Sequence, residues 1–194
     1  MDNEPKITIG IPTGGTVKTK TVLSLLGMIK KMPYRWNTVM RNACLIHTNR
    51  EVITQKAIEL GSTHLLFVDD DMTFEPDAFN RLFDRKKEII GVATHLRQFP
   101  LTSTLKDLDE NGNKIWEEYP DGLIKCAGVG TGFLLIDLSV FKKISQPWYF
   151  FESNDKGELV CGEDMWFCRK AIKAGYDIWA DSTIKVGHLG EYEY

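Results

Sequence analysis

One stretch constrains this chain more than any other: residues 64–72, HLLFVDDDM. The apolar run Leu65, Leu66, Phe67 and Val68 reads as a buried strand of an α/β sheet, and it cannot continue through Asp69, Asp70 and Asp71. The three carboxylates are therefore expected at the strand's carboxyl end, where open α/β sheets bind ligands. If the backbone stays extended there, alternation sends Asp69 and Asp71 to one side and Asp70 to the other. Convergent anions repel more strongly as water is withdrawn, so such a pair in a cleft favours a divalent cation or a raised pKa. Hard oxygen ligands select Mg²⁺ or Mn²⁺, ions that keep positions open for phosphates, and a nucleotide diphosphate is the natural candidate. A bare DDD reads more simply as a solvated acidic loop. The apolar strand immediately before it favours the site.

The elements around this stretch alternate. Residues 6–12, KITIGIP, place β-branched Ile7, Ile9 and Ile11 in a first strand that runs into the glycine loop TGGT. Val22, Leu23, Leu26 and Ile29 then keep helical spacing, with Lys18, Lys20, Lys30 and Lys31 around them. The run GGTVKTKT is not a P-loop, because no glycine precedes either lysine where GxxxxGK[ST] requires one. A second strand is expected over residues 39–46. A helix capped by Asn49 and closed by Gly61 follows, which sets Arg50 in its first turn, where a cation opposes the helix dipole and a phosphate or base could occupy it. After the DDD loop, Pro76 opens a helix with Phe79, Leu82 and Phe83 on one side. This β-α-β-α-β-α order predicts a parallel sheet with right-handed crossovers.

Beyond it, residues 88–96 read as a fourth apolar strand and residues 97–125 as an inserted β-hairpin flap turning at Asn111-Gly112. In CAGVGTGFLLIDL the glycines before Phe133 predict a close backbone approach near Gly130 and Gly132. A short helix from about Ser139 and an aromatic run, Trp148 to Phe151, follow. Residues 161–174 form a clear helix with Glu163 and Asp164 at its start and Gly175 past its end. The chain closes on a strand-like segment that leaves His188 in a glycine-flanked loop.

Composition excludes several classes. With 194 residues, 43% hydrophobic and 26% charged, the chain suits one folding unit, with a half of about residues 1–96 for nucleotide and about residues 97–194 for acceptor. A net charge of −3 gives no sign of a nucleic-acid groove. The first ten residues lack a signal-peptide pattern and no stretch is apolar enough to span a bilayer, so the expected compartment is the cytoplasm, with no integral membrane segment. Cys44, Cys126, Cys161 and Cys168 have neither zinc nor disulfide-framework spacing and read as buried thiols.

Together, FVDDDM after an α/β half, GVGTGFLLID, and GEDMWFCRKAIKAGYDIWADSTIKVGHLG resemble the GT-A glycosyltransferases, in particular the inverting family 2 type. The order of these motifs spans nearly the whole chain. The resemblance implies a GT-A, Rossmann-like fold with a mixed, mostly parallel central sheet flanked by helices. It implies transfer of one sugar, with inversion, from a nucleotide diphosphate sugar to an acceptor hydroxyl, with Mn²⁺ or Mg²⁺ as cofactor. The acceptor class stays open between glycan, lipid-linked and protein acceptors, as do the donor base and the oligomeric state.

Residue by residue, the resemblance carries nucleoside contact to Asp69, metal binding to Asp71 and the variable middle position to Asp70. It gives the catalytic base to Asp164, an orienting role to Glu163 and a further metal ligand to His188. Pro12 and Thr13 would line the nucleoside, Arg50 would reach the base or diphosphate, and Gly132 would lie against the donor. The chain is short for the family and lacks the carboxyl-terminal helices of processive synthases, so polymer extrusion is not expected. Two other readings stay open. A sugar-phosphate nucleotidyltransferase shares an α/β nucleotide half, but the arginine of its glycine loop is missing from TGGT. A non-catalytic nucleotide-sugar or glycan-binding module would keep the fold without needing Asp69, Asp71, Asp164 and His188 together.

Overall fold

The computed structural model describes residues 4–93, 105 and 120–190. Strand β1 (Lys6–Thr13) sends Ile7, Ile9 and Ile11 to one face of a sheet, where they pack with Leu25 and Met28 of helix α1 (Thr19–Lys31). Its other face carries Gly10, where a Cβ would stand 2.5 Å from Ile53 Cγ2 of helix α2 (Ile46–Glu59). Glycine here lets α2 settle onto the strand. Strand β3 (His64–Val68) divides in the same way: Leu66 and Val68 join the α1 layer, Leu65 and Phe67 the α2 layer. Period-two alternation of apolar residues on both faces thus builds two cores, above and below one sheet. Full burial of each such side chain contributes about 1.5–3 kcal/mol.

Strand β2 (Arg35–Asn42) pairs parallel to β1, and β3 pairs parallel to β1 on its other side. The chain therefore steps outward through α1 and back through α2. Reversing direction with one crossover hand puts the two helices on opposite faces, as the two cores show. Strand β4 (Met72–Phe74) and helix α3 (Ala78–Phe83) lead to β5 (Ile89–Val92). Strands β6 (Leu123–Cys126) and β7 (Phe133–Asp137), a 3₁₀ turn Leu138–Lys142, and a small ladder of β8 (Glu152–Ser153) and β9 (Leu159–Cys161) follow. Helix α4 (Glu163–Lys173), β10 (Ile178–Asp181) and β11 (Val186–His188) complete the order.

The main sheet runs β2-β1-β3-β7-β5-β10-β6. Only β7 and β6 oppose the other five strands, so the architecture is mixed α/β with a mostly parallel central sheet flanked by helices. A separate two-stranded ladder joins β11 to β4.

Several expectations shift. The second strand occupies Arg35–Asn42 rather than residues 39–46, because α2 already begins at Ile46. Asn49 consequently lies inside α2, its Nδ2 donating to the Ala43 carbonyl at 3.0 Å, and does not cap the helix. Gly61 does close α2, with φ of 64° and its N–H on the Ile58 carbonyl. In α1 the buried stripe is Thr21, Leu25 and Met28, while Val22, Leu23 and Leu26 face outward. Most of the hairpin-flap expectation, including its turn, falls outside the described residues. All four cysteines are thiols; Cys126, Cys161 and Cys168 are buried as expected, but Cys44, in the bend between β2 and α2, is exposed. Among the described residues no helix is long and apolar enough to cross a membrane.

Candidate functional site

The three aspartates leave β3 in a turn rather than an extended strand. The Met72 N–H donates to the Asp69 carbonyl at 3.3 Å, which folds Asp70 and Asp71 back. Strict alternation therefore does not apply, and each carboxylate finds a different partner. Asp69 accepts from Arg50 Nη2 at 2.9 and 3.2 Å. Asp70 accepts from the Gly14 N–H at 3.2 Å, and its carbonyl receives the Lys18 N–H at 2.9 Å. Asp71 is buried, with Oδ1 3.3 Å from His188 Nε2. The β4–β11 ladder sets that last contact, pairing Met72 with His188 while the Leu189 N–H donates to the Asp71 carbonyl at 2.9 Å.

All three aspartates line one cleft of about 250 Å³, with Pro12, Thr13, Gly14, Ala43 and Asn49. It opens at the carboxyl ends of β1, β2 and β3, where the strand order reverses, the place ligands occupy in sheets of this kind. Thr13 is held internally, its hydroxyl donating to the Thr16 carbonyl at 2.9 Å and accepting from the Gly15 N–H at 3.0 Å. Asn49 is the lining residue that local sequence reasoning misplaced. Its Oδ1 is buried without a hydrogen-bond partner among the described residues, so a donor entering the cleft has an acceptor there. Gly132 lies directly behind the acidic loop: its carbonyl accepts the Asp69 N–H at 3.0 Å, and a Cβ would meet Asp69 Oδ2 and Met72 Sδ, each at 3.4 Å.

Arg50 takes a different place from the one its sequence position suggests. It is buried, stacks 5.2 Å from the Phe67 ring centroid and is not among the cleft-lining residues. Besides Asp69 it bonds Glu163 Oε1 through Nε at 3.3 Å. Burial alone would weaken its hold on a proton, but Asp69 and Glu163 more than offset that and raise its pKa. One guanidinium thus ties the DDD loop to the first turn of α4.

Gly162 stands at the N-cap of α4, with Glu163 and Asp164 in the first turn, favourably placed against the helix dipole. Asp164 Oδ1 accepts its neighbour's N–H, from Met165, at 2.7 Å. Burial, followed by the charge of Glu163, raises the Asp164 pKa above the ordinary aspartate value. Arg50 and the Met165 N–H pull the other way without cancelling the shift. Asp164 is therefore a stronger base than an exposed aspartate.

Asp71 and His188 supply one carboxylate and one imidazole. Among the described residues no group of three or more His, Cys, Asp or Glu side chains could hold a metal by itself. Asp71 offers a hard ion of the Mg²⁺ type one carboxylate, His188 is the softer donor, and such an ion would take its remaining positions from substrate phosphates and water.

No family model matches the chain, and no curated protein matches it. Among solved structures, 193 chains match. One is the crystal structure of A197 from STIV, with a TM-score of 0.67 and 17% sequence identity over 96% of this chain and 86% of that one. At that identity the likeness shows shared fold alone.

Proposed function

We propose that the protein is a GT-A type, metal-dependent glycosyltransferase that moves one sugar from a nucleotide diphosphate sugar to an acceptor hydroxyl with inversion. The observation that carries this reading is the pair of salt bridges from Arg50 to Asp69 and to Glu163, which brings two acidic motifs far apart in sequence to one guanidinium. A donor in the cleft would lie with its nucleoside against Pro12 and Thr13 and its diphosphate toward Asp71 and His188. Mg²⁺ or Mn²⁺ held by Asp71 and His188 would supply charge neutralisation for the leaving diphosphate. Asp69 and Asp70 are immobilised by Arg50 and the Gly14 N–H, so the loop presents a fixed shape to the donor. Asp164 accepts the proton of the acceptor hydroxyl as its oxygen bonds to the anomeric carbon. The bond from that carbon to the diphosphate breaks, and its electron pair leaves with the diphosphate. Direct displacement inverts the anomeric centre. Arg50 and Glu163 act here as positioning residues.

The test is nucleotide diphosphate release from UDP-, GDP- and dTDP-sugars, each with Mn²⁺, with Mg²⁺ and with chelator. Slow release from one donor that stops with chelator is expected. Binding of a nucleotide-sugar without turnover in the presence of glycan, lipid-linked and protein acceptors would instead favour a binding module.

A further inference from the structure

Asn49 is a buried polar side chain of the cleft that sugar transfer, as derived above, leaves unused. It stands near the start of α2, is 1% exposed and forms part of the cleft wall. Its Nδ2 donates to the Ala43 carbonyl at 3.0 Å. That bond sets the orientation of the amide, because the reverse orientation would bring two acceptor oxygens face to face. Oδ1 is thereby turned away from Ala43, and it has no hydrogen-bond partner among the described residues. A buried amide oxygen without a donor is costly, and such groups normally meet a water or a ligand.

Position decides which part of a bound nucleotide could supply that donor. Asn42 pairs with Thr13 across the β2–β1 ladder, so Ala43, one residue on, and the amide bonded to it lie beside the carboxyl end of β1. Asp71 and His188 belong to the β4–β11 ladder, and β4 packs on α1, where the Phe74 N–H donates to Ser24 Oγ at 3.2 Å. Helices α1 and α2 cover opposite faces of the sheet. A diphosphate drawn to Asp71 and His188 therefore leaves the nucleoside, resting on Pro12 and Thr13, as the part that reaches Asn49.

The wall chemistry narrows the contact further. Its neutral side-chain oxygens are those of Thr13 and Asn49. Thr13 Oγ1 is already engaged, donating to the Thr16 carbonyl and accepting from the Gly15 N–H. Asn49 Oδ1 remains for an N–H or O–H of the ligand, and an uncharged amide oxygen takes such a donor without drawing a cation, as a carboxylate would. We propose that Asn49 is a specificity-determining residue whose Oδ1 accepts a hydrogen bond from the nucleoside of the bound nucleotide diphosphate, given by a base N–H or a ribose hydroxyl. The proposal rests on the cleft being a nucleotide site, and not on sugar transfer. Nucleosides that present an acceptor or a methyl group at that point are disfavoured, since the amide oxygen would stay unpaired.

The test is calorimetric titration of the parent protein and Asn49→Leu with UDP and GDP, in the presence of Mn²⁺. Each nucleotide is also used with its ring N–H methylated and with either ribose hydroxyl removed. Leucine is close to asparagine in size and removes the acceptor. For a nucleotide that binds the parent, Asn49→Leu should weaken binding at least about fivefold. One altered nucleotide should lose as much on the parent, and should bind parent and variant alike. If that is the methylated form, the bond belongs to the base; if a deoxy form, to the ribose. Circular dichroism checks folding, and Asn49→Ala replaces the leucine variant if the latter does not fold. Equal binding of each nucleotide by parent and variant, as expected if Oδ1 holds a structural water alone, overturns the proposal. So does a uniform weakening of all forms in the variant, the mark of a displaced Ala43 segment. Failure of every nucleotide to bind the parent overturns this proposal together with the reading of the cleft. Binding that depends on Asn49 in this way, without turnover of any nucleotide-sugar, supports the proposal and removes the transferase reading alone.

Discussion

The molecule places two runs of adjacent carboxylates at one end of its sheet and treats them differently. Asp69, Asp70 and Asp71 are answered one by one, by Arg50, by the Gly14 N–H and by His188. Of Glu163 and Asp164, only Glu163 has a cation within bonding distance among the described residues. Asp164 is left half-buried beside a charged neighbour, and its affinity for protons rises. A carboxylate whose charge is met is suited to holding a ligand, and one whose charge is left partly unmet is suited to taking a proton. Identical side-chain chemistry acquires two capacities from its surroundings.

The sharpest way to break this contrast is to remove the side chain that serves both runs. Arg50→Met leaves Asp69 and Glu163 without their cation; a fully buried pair would lose about 3–5 kcal/mol, and the partial exposure of these two carboxylates puts the expected loss below that, at about 1–3 kcal/mol. Urea denaturation should show a loss of that order. Adding Asp69→Asn should recover part of it, since the two changes share a partner. A smaller effect is expected at His188. His188→Ala should raise the Mn²⁺ concentration needed for half-maximal diphosphate release by at least about tenfold, in the range seen when a metal site loses a supporting group, with little change in melting temperature.

The gentlest test concerns pH. Because the folded pKa of Asp164 is raised, the native state binds this proton more tightly than the unfolded chain does. Stability from this group is thus present below the unfolded value, near 3.8, and is lost as pH rises through the folded pKa. Asp164→Asn should therefore be more stable than the parent at neutral pH, with the gain shrinking on acidification and absent below about pH 3.8. Thermal melts of both proteins across that range check the sign.

Much of the central strand was legible because Leu65 to Val68 bury both faces, a pattern few other elements produce. The position of the aspartates at its end follows from that alone. What escaped notice lay at the edges and across long separations. Strand β2 is largely exposed, so RWNTVMRN shows no alternation to read, and α2 begins at Ile46, ahead of the cap that Asn49 suggests. In α1 the choice between Val22–Leu26–Ile29 and Thr21–Leu25–Met28 depends on which side the sheet lies, which periodicity does not carry. Arg50 looked free to meet a ligand because its partners stand 19 and 113 residues away. The approach of His188 to Asp71, expected from the resemblance alone, is set by the short β4–β11 ladder, too brief to leave a pattern of its own.

The division of labour between the two acidic runs is tested most directly by measuring donor affinity and diphosphate release side by side for the parent protein and Asp164→Asn, with the metal present. The account predicts affinity within about twofold of the parent and release slowed by about 10²–10⁴, the contribution of a positioned general base. Release at the parent rate, or donor affinity lost together with release, would contradict it.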